Sequence, residues 1–135
     1  MPKNQNKTQP LSHSLSEVLK MMDTASKDYD YNYNAVNQME KLTQDYLHAL
    51  ELDNLKYKER AKVATRLEQC RKARRHHKDM VELLEPLIIQ LDSDYGKKFI
   101  NLLKDALGKT RKIEEKKQCR MYFQKVSPNT AATNN

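Results

Sequence analysis

The sequence predicts an all-α protein: an antiparallel helical bundle or a long helical hairpin with disordered termini. Three observations support this prediction. The chain has only two Gly in 135 residues, so it offers few sites for tight turns. It is rich in Lys, Glu, Gln, Leu and Ala, which are strong helix formers. Its apolar residues recur at every third or fourth position over long stretches, which is the period of a helix packed along one face.

The length and the two ends of the chain define one helical domain. A chain of 135 residues is long enough for one domain with one modest core. Residues 1–10 and residues 127–135 are polar and lack apolar periodicity, so we expect both segments to be disordered. The single helical domain is therefore assigned to residues 11–126.

Two helices are predicted in the first half of this domain, at residues 11–25 and at residues 34–52. The first has a stripe formed by Leu11, Leu15, Val18, Leu19 and Met22, and the second has a stripe formed by Val36, Met39, Leu42, Tyr46, Ala49 and Leu50. Between them, the stretch DYDYNYN at residues 28–34 alternates Tyr with Asp and Asn. A single stretch of this kind without a pairing partner is better explained as a linker or a helix lead-in than as a strand.

A third helix is predicted to begin near Lys56 and to continue to a turn at residues 92–96. Its apolar ladder consists of Val63, Leu67, Cys70, Val81, Leu84, Ile88 and Leu91. The steps of four and three residues continue unbroken when Arg74 and His77 are counted, so the run RKARRHHKDM at residues 71–80 belongs to the helix. The same phase continues across Pro86, which favours a kink over two separate helices.

A fourth helix is predicted from about residue 96 to residue 122, with a stripe formed by Phe99, Leu103, Ala106, Leu107 and Ile113. Short connections make neighbouring helices antiparallel, so helices three and four are expected to form the spine of the fold, with helix two beside them. In that register the opposed pairs are Leu91 with Phe99, Arg74 with Lys116, and Cys70 with Arg120. Glu114 and Glu115 are then the acidic side chains closest to Arg74.

Basic residues are concentrated in particular segments. Residues 58–78 carry nine Lys or Arg against two Glu, a net charge of +7, whereas residues 79–95 carry five acids and no base. The predicted hairpin brings the first segment beside residues 110–125 and so forms one basic pole. Its candidate anion- or partner-binding residues are Arg71, Arg74, Arg75, Lys78, Arg111, Lys112, Lys116, Lys117 and Arg120. The alternatives to an anion-binding surface are a solvated basic face and a buried polar network that determines helix register.

The sequence contains no pattern typical of catalysis, metal binding or cofactor binding. Cys70 and His77 are seven residues apart, about 10 Å along a helix axis, which is too far for two ligands of one zinc ion. Two Gly could hardly build a phosphate-binding loop. We therefore expect a protein without enzymatic activity, metal or cofactor, in which Cys70 and Cys119 are small reduced thiols.

Composition also restricts the partners. Residues 58–94 contain no aromatic side chain, so the stacking typical of single-strand binders is not supported. Two kinds of partner remain possible for a basic surface: the backbone of a nucleic acid and an acidic protein surface. No apolar run is long enough to span a membrane, and the N-terminus lacks the apolar core of a signal peptide, so we expect a cytoplasmic protein without a membrane partner. The thin apolar core of so polar a chain favours a homodimer.

Three motifs resemble a group of known proteins. RKxRRxxKD at residues 71–79, ELLEPL at residues 82–87 and LGKTRKIE at residues 107–114 occur in this order. In this respect the chain resembles small all-helical proteins of unassigned role from phages and prophages of Gram-positive bacteria, over roughly residues 40–123. The resemblance implies a phage-encoded accessory or host-interaction protein in the bacterial cytoplasm, and it implies no activity. The alternative is a sequence-nonspecific nucleic-acid-binding protein of phage DNA metabolism.

Overall fold

In a computed structural model, residues 8–120 are described, and they form three helices: α1 at Leu11–Leu52, α2 at Tyr57–Asp92 and α3 at Asp94–Gln118. The all-α prediction is confirmed, and no strand occurs within residues 8–120. Most of the predicted disorder, at residues 1–7 and 127–135, lies outside the described residues. Residues 8–10 precede α1 and are exposed. α3 ends earlier than the predicted helix end at residue 122.

α1 is one continuous helix of 42 residues. The predicted division into helices at residues 11–25 and 34–52, with a linker or helix lead-in at residues 28–34, is therefore wrong. The polar and aromatic residues of this stretch keep the helical phase: Ala25, Tyr29, Asn32 and Val36 follow one another at steps of four, three and four residues and are buried or half-buried. The Asn32 side-chain amide donates to the carbonyl oxygen of Asp28, one turn earlier, at 2.7 Å. Packing against a neighbouring helix therefore outweighs the weak helix propensity of Tyr, Asp and Asn.

α1 and α2 form an antiparallel hairpin joined by the loop at residues 53–56, and they share most of the contacts between helices. Two pairs across the interface define its register: Asn32 hydrogen-bonds to His77, and the backbone of Met39 accepts a hydrogen bond from Cys70. The two pairs are seven residues apart on each helix, which is one heptad of a coiled coil. The spine of the fold is therefore α1 with α2, whereas the predicted spine of helices three and four is wrong.

The prediction of one helix across Pro86 is confirmed, because α2 continues to Asp92. A single residue, Ser93, separates α2 from α3. Its hydroxyl donates to the carbonyl of Gln90 at 2.6 Å and accepts from the backbone N–H of Gly96 at 3.0 Å, which caps α3. A Cβ at position 96 would overlap the carbonyl oxygen of Gln90 and lie 2.8 Å from that of Leu91, so this close approach requires glycine.

α3 contacts both α1 and α2, and its far end lies against α1 instead of folding back along α2. Ile100 joins the cluster around Ala25, and at the other end of α3 the carboxylate of Glu114 accepts a hydrogen bond from the backbone N–H of Ser12 at 3.1 Å. The predicted hairpin register, with the pairs Leu91–Phe99, Arg74–Lys116 and Cys70–Arg120, is therefore wrong. Helical hairpins need a loop of about two to five residues to reverse the chain, and Ser93 alone changes its direction without reversing it.

The apolar core lies where the three helices meet. Ala25, Ile88 and Leu91 are buried there, and half-buried side chains surround them: Met22, Tyr29, Leu84 and Ile100. No side chain of residues 8–120 is completely removed from solvent. Within the same range no helix is long and apolar enough to cross a membrane. The core is thus short relative to the helices, and half of the α1–α2 hairpin extends beyond it.

Candidate anion-binding arm

The part of the α1–α2 hairpin that extends away from α3 is basic. We call it the basic arm: residues 35–52 of α1, the loop at residues 53–56 and residues 57–78 of α2. It carries eleven Lys or Arg against six acids, a net charge of +5. Among the described residues, six of the arm's nine bases on α2 form no ion pair: Lys58, Arg60, Lys62, Arg66, Arg75 and Lys78. Five of these six are exposed and Lys78 is half-buried, so the arm presents positive charge that the chain itself does not neutralise.

Arg74 and His77 lie within the α1–α2 interface, as their place in the ladder predicts, but their partners come from α1. The guanidinium Nε of Arg74 pairs with the carboxylate of Glu40, and Arg71 lies 3.6 Å from the same carboxylate. The predicted partners Glu114 and Glu115 are therefore wrong. The Arg74 side chain is only 21% exposed, so this candidate site residue is largely occupied inside the fold.

His77 belongs to a second polar contact one turn further along α2. Its Nδ1 lies 2.8 Å from Oδ1 of Asn32, which is buried, and its ring meets the edge of Tyr31 at 5.9 Å between centroids. Two polar contacts within a thin apolar interface restrict the helices to one alignment, since any slip leaves a half-buried Arg or a buried Asn unpaired. The predicted alternative of a polar network therefore applies to Arg74 and His77.

The two cysteines lie in different environments. Cys70 is buried, and its thiol donates to the carbonyl oxygen of Met39 at 3.2 Å and lies 3.5 Å from the hydroxyl of Thr43. Cys119 is exposed at the end of α3. The predicted proximity of Cys70 to the end of the last helix is wrong for the same reason as the hairpin register. In the described part of the chain, no three or more His, Cys, Asp or Glu side chains are grouped as metal ligands.

The nine predicted site residues fall into two separate groups. Arg71, Arg74, Arg75 and Lys78 lie on the basic arm, whereas Arg111, Lys112, Lys116, Lys117 and Arg120 are exposed on the last turns of α3 and just after it. The first group contacts α1 at Glu40 and the second lies beside Ser12. Ser12 and Glu40 are 28 residues apart in one helix, a distance of about 42 Å. The predicted single basic pole is therefore wrong, and we refer to the second group as the α3 patch.

An acidic region separates the two basic groups. Residues 11–34 of α1 and residues 79–95 carry nine acids against two Lys, a net charge of −7, and the contacts of Ala25 with Ile88 and Leu84 show that these segments pack together. Residues 96–110 of α3, which pack beside these segments, carry four Lys against Asp105, so the net charge of the whole middle region is −4. The charge therefore still changes sign twice along the molecule: basic arm, acidic middle, α3 patch. Anionic ligands are attracted to the two ends and repelled from the middle.

Nearby carboxylates offset the charge of some bases. Lys72 on the arm pairs with Glu68 at 2.8 Å on the exposed surface. Their hydrogen bond and mutual attraction lower the pKa of Glu68 and raise the pKa of Lys72 from their usual values. In the α3 patch, Glu114 is held by Ser12, whose hydroxyl and backbone N–H lower the pKa of the carboxyl. Both pairings keep the carboxylates ionised, so they offset positive charge without removing the bases from the surface.

The sequence does not predict the contacts of three residues that organise the site: Glu40, Asn32 and Glu114, the last of which the predicted register places beside Arg74. The sequence contains a signal for two of them when residues 11–52 are taken as a single helix. Asn32 then lies on the apolar stripe of that helix, and Glu40 directly follows a residue of the stripe, Met39. The prediction of a linker at residues 28–34 hides that continuity. Glu114 has no comparable signal, since its contact with Ser12 joins residues 102 positions apart in the chain.

No protein-family model matches this sequence, and neither the curated proteins nor the solved structures include a significant match to it.

Proposed function

We propose that this chain is a non-enzymatic binding protein whose basic arm binds the phosphate backbone of nucleic acid. The observation that carries the proposal is the set of six bases without ion pairs along α2, on both flanks of the face that packs against α1. Lys58 and Lys78, the ends of this set, are 20 residues apart in α2, or about 30 Å. An anionic polymer offers charge over such a length, so several phosphates can be contacted at once.

The composition of the arm supports backbone contact over base recognition. The basic segment of α2 lacks aromatic side chains for stacking, and its Lys and Arg occupy both flanks of the helix instead of one narrow reading edge. If three to five phosphates are neutralised, log K falls with log salt with a slope of about −3 to −4.5 for duplex. Little sequence preference is expected.

The resemblance to phage and prophage proteins suggests the bacterial cytoplasm as the place of action.

A second candidate ligand is an acidic protein surface, as for a phage accessory or host-interaction protein. The observation that favours it is apolar exposure at the tip of the arm, where Leu47, Leu52 and Tyr57 are 43%, 76% and 86% exposed. Protein interfaces combine apolar anchors with a polar rim, whereas a phosphate backbone gives such side chains nothing to contact. This candidate predicts binding to a host protein that persists after nuclease treatment.

Titration of labelled duplex and single-stranded DNA at low and high salt tests the proposal. The arm variant is Arg66→Glu with Arg75→Glu, at two exposed bases without ion pairs. The control variant is Lys112→Glu with Lys116→Glu in the α3 patch, which changes the net charge of the chain equally. We expect the arm variant to bind at least about tenfold more weakly on all sequences, with a salt slope reduced by about 1.8, and the control variant to change much less.

Three outcomes contradict nucleic-acid binding by the arm. The first is wild-type affinity weaker than about millimolar at low salt, since nonspecific binders reach about 10⁻⁴ to 10⁻⁶ M even at physiological salt. The second is an equal loss in both variants, which would mean that only net charge matters. The third is an arm variant that binds as the wild type does. Circular dichroism of both variants verifies that the helices remain.

A further inference from the structure

An apolar surface at the junction of α2 and α3 has no partner within the chain. Five large side chains form it: Leu83 and Leu87 on α2, 74% and 37% exposed, and Tyr95, Phe99 and Leu102 on α3, 87%, 53% and 66% exposed. The three α3 side chains line a groove of about 570 Å³ at the junction, together with Leu91 and Lys98. Leu87 and Leu83 lie one and two turns before Leu91 on α2. We call these five residues the junction surface. Contiguous apolar exposure of this kind marks interaction sites.

The junction surface exists because α3 is apolar on two faces. Ile100, Leu103 and Leu107 are buried or half-buried, whereas Phe99 and Leu102 point to another side of the same helix and stay exposed. On α2, Leu83 and Leu87 are one turn apart and lie off the ladder that packs against α1. A helix with a second apolar stripe is usual where a second helix layer covers it. In residues 8–120 no helix does so.

We propose that a second copy of this chain covers the junction surface, forming a symmetric dimer. Two-fold interfaces use the same patch on both subunits, so the patch must complement itself. This one does: on its α2 half Asp79 lies one turn before Leu83, and on its α3 half Lys98 lines the groove and Lys109 lies two turns after Leu102 on the same face. Placing α3 of each copy against α2 of the other brings opposite charges together around the apolar centre.

The size of the junction surface suits a dimer. Its five side chains expose apolar area on the order of 600 Å², judged from their exposed fractions and the 150–250 Å² of an aromatic side chain. A standard interface takes about 800 Å² from each partner, of which somewhat more than half is apolar. A second copy would also complete a core that is thin in the single chain, where no described side chain is fully buried.

The dimer does not depend on the ligand of the basic arm, because the junction surface lies at the opposite end of α2. Each copy would contribute one arm, so the dimer would bind its ligand at two places. Two linked sites raise the apparent affinity for a long polymer, provided that both can engage it at once.

Sedimentation velocity of the full chain, freed of nucleic acid, tests the dimer over about 1–100 μM, the range in which a dimer of moderate affinity dissociates. The apparent mass of the wild-type protein is expected to increase with concentration from 15.9 kDa, the mass of one chain, toward twice that value. Leu83→Glu and Leu102→Glu are each expected to weaken the dimer at least about tenfold, since each places a charge in the interface. Leu52→Glu is the control, because Leu52 is exposed to nearly the same extent, 76%, at the far tip of the hairpin.

Each outcome of this experiment has a defined meaning. If the wild type stays at 15.9 kDa up to about 100 μM, the proposal of a dimer is wrong. The proposed interface is also wrong if Leu52→Glu disrupts a dimer and Leu83→Glu does not. Repeating the run at about 0.5 M salt separates this proposal from that for the arm, because salt at this level screens charge contacts. At this salt concentration a dimer held by apolar contacts is expected to persist, whereas an assembly held together by bound nucleic acid is expected to dissociate. Circular dichroism verifies that all three variants keep their helices.

Discussion

The pairing of Arg74 with Glu40 gives the sharpest test of the α1–α2 register. Replacing Glu40 by Ala removes the carboxylate that faces both Arg74 and Arg71. Arg71 is half exposed and can turn to water, but the Arg74 side chain is only 21% exposed and stays within the interface. The substitution therefore leaves a charge that is mostly desolvated and has no counter-ion.

The expected cost lies between two known limits. Breaking a fully buried ion pair costs about 3–5 kcal/mol, and an exposed pair contributes about 0–1 kcal/mol. Arg74 is close to the buried limit, but Glu40 is 47% exposed, and water screens its side of the pair. We expect Glu40→Ala to lower the free energy of unfolding by about 2 kcal/mol, which corresponds to a decrease in Tm of roughly 5–10 °C for a chain of this size.

A double-mutant cycle with Arg74→Ala, followed by thermal unfolding and circular dichroism, measures the coupling directly. We expect about 1 kcal/mol or more between Glu40 and Arg74, because neither single change leaves the pair intact. Glu68→Ala serves as the control, since Glu68 pairs with Lys72 only on the exposed surface, and it should leave the Tm nearly unchanged. A coupling of zero refutes the register, and so does a cycle in which Arg74 couples to Glu115 instead.

Two further predictions concern the core and the docking of α3. Ile88→Ala, in the buried cluster, should lower the free energy of unfolding measured in urea by about 2–4 kcal/mol. Ile89→Ala, at a neighbouring side chain that is 60% exposed, should change that free energy by no more than about 0.5 kcal/mol. Equal losses in the two variants would disprove the packing. Glu114→Gln should lower the Tm at neutral pH and Glu115→Gln should not. Because the folded protein lowers the pKa of Glu114, its contribution is present above the ordinary carboxyl range and disappears as pH falls through the lowered pKa. The Tm difference between wild type and Glu114→Gln should therefore narrow on acidification.

The sequence predicts the elements better than their arrangement. The ladder of α2 and its passage through Arg74, His77 and Pro86 are all present as predicted. Residues 28–34 are predicted wrongly because propensity is local, whereas the helix there is stabilised by packing against α2. The candidate site shows the same division. The basic residues are evident from composition, but the location of the α3 patch depends on how Ser93 directs the chain.

What the sequence alone determines about this protein is the set of helices, their apolar stripes and the alternation of charge along the chain. These follow from properties that act over a few residues: propensity, periodicity and the net charge of a segment. Only the tertiary structure decides that Glu40 neutralises Arg74, that Ser12 binds Glu114, and that the two basic groups lie about 42 Å apart. Helices of similar amphipathicity can pair in several ways at nearly equal cost in apolar area. The choice among these ways depends on a one-residue break at Ser93 and on a few polar contacts that are satisfied in one alignment only.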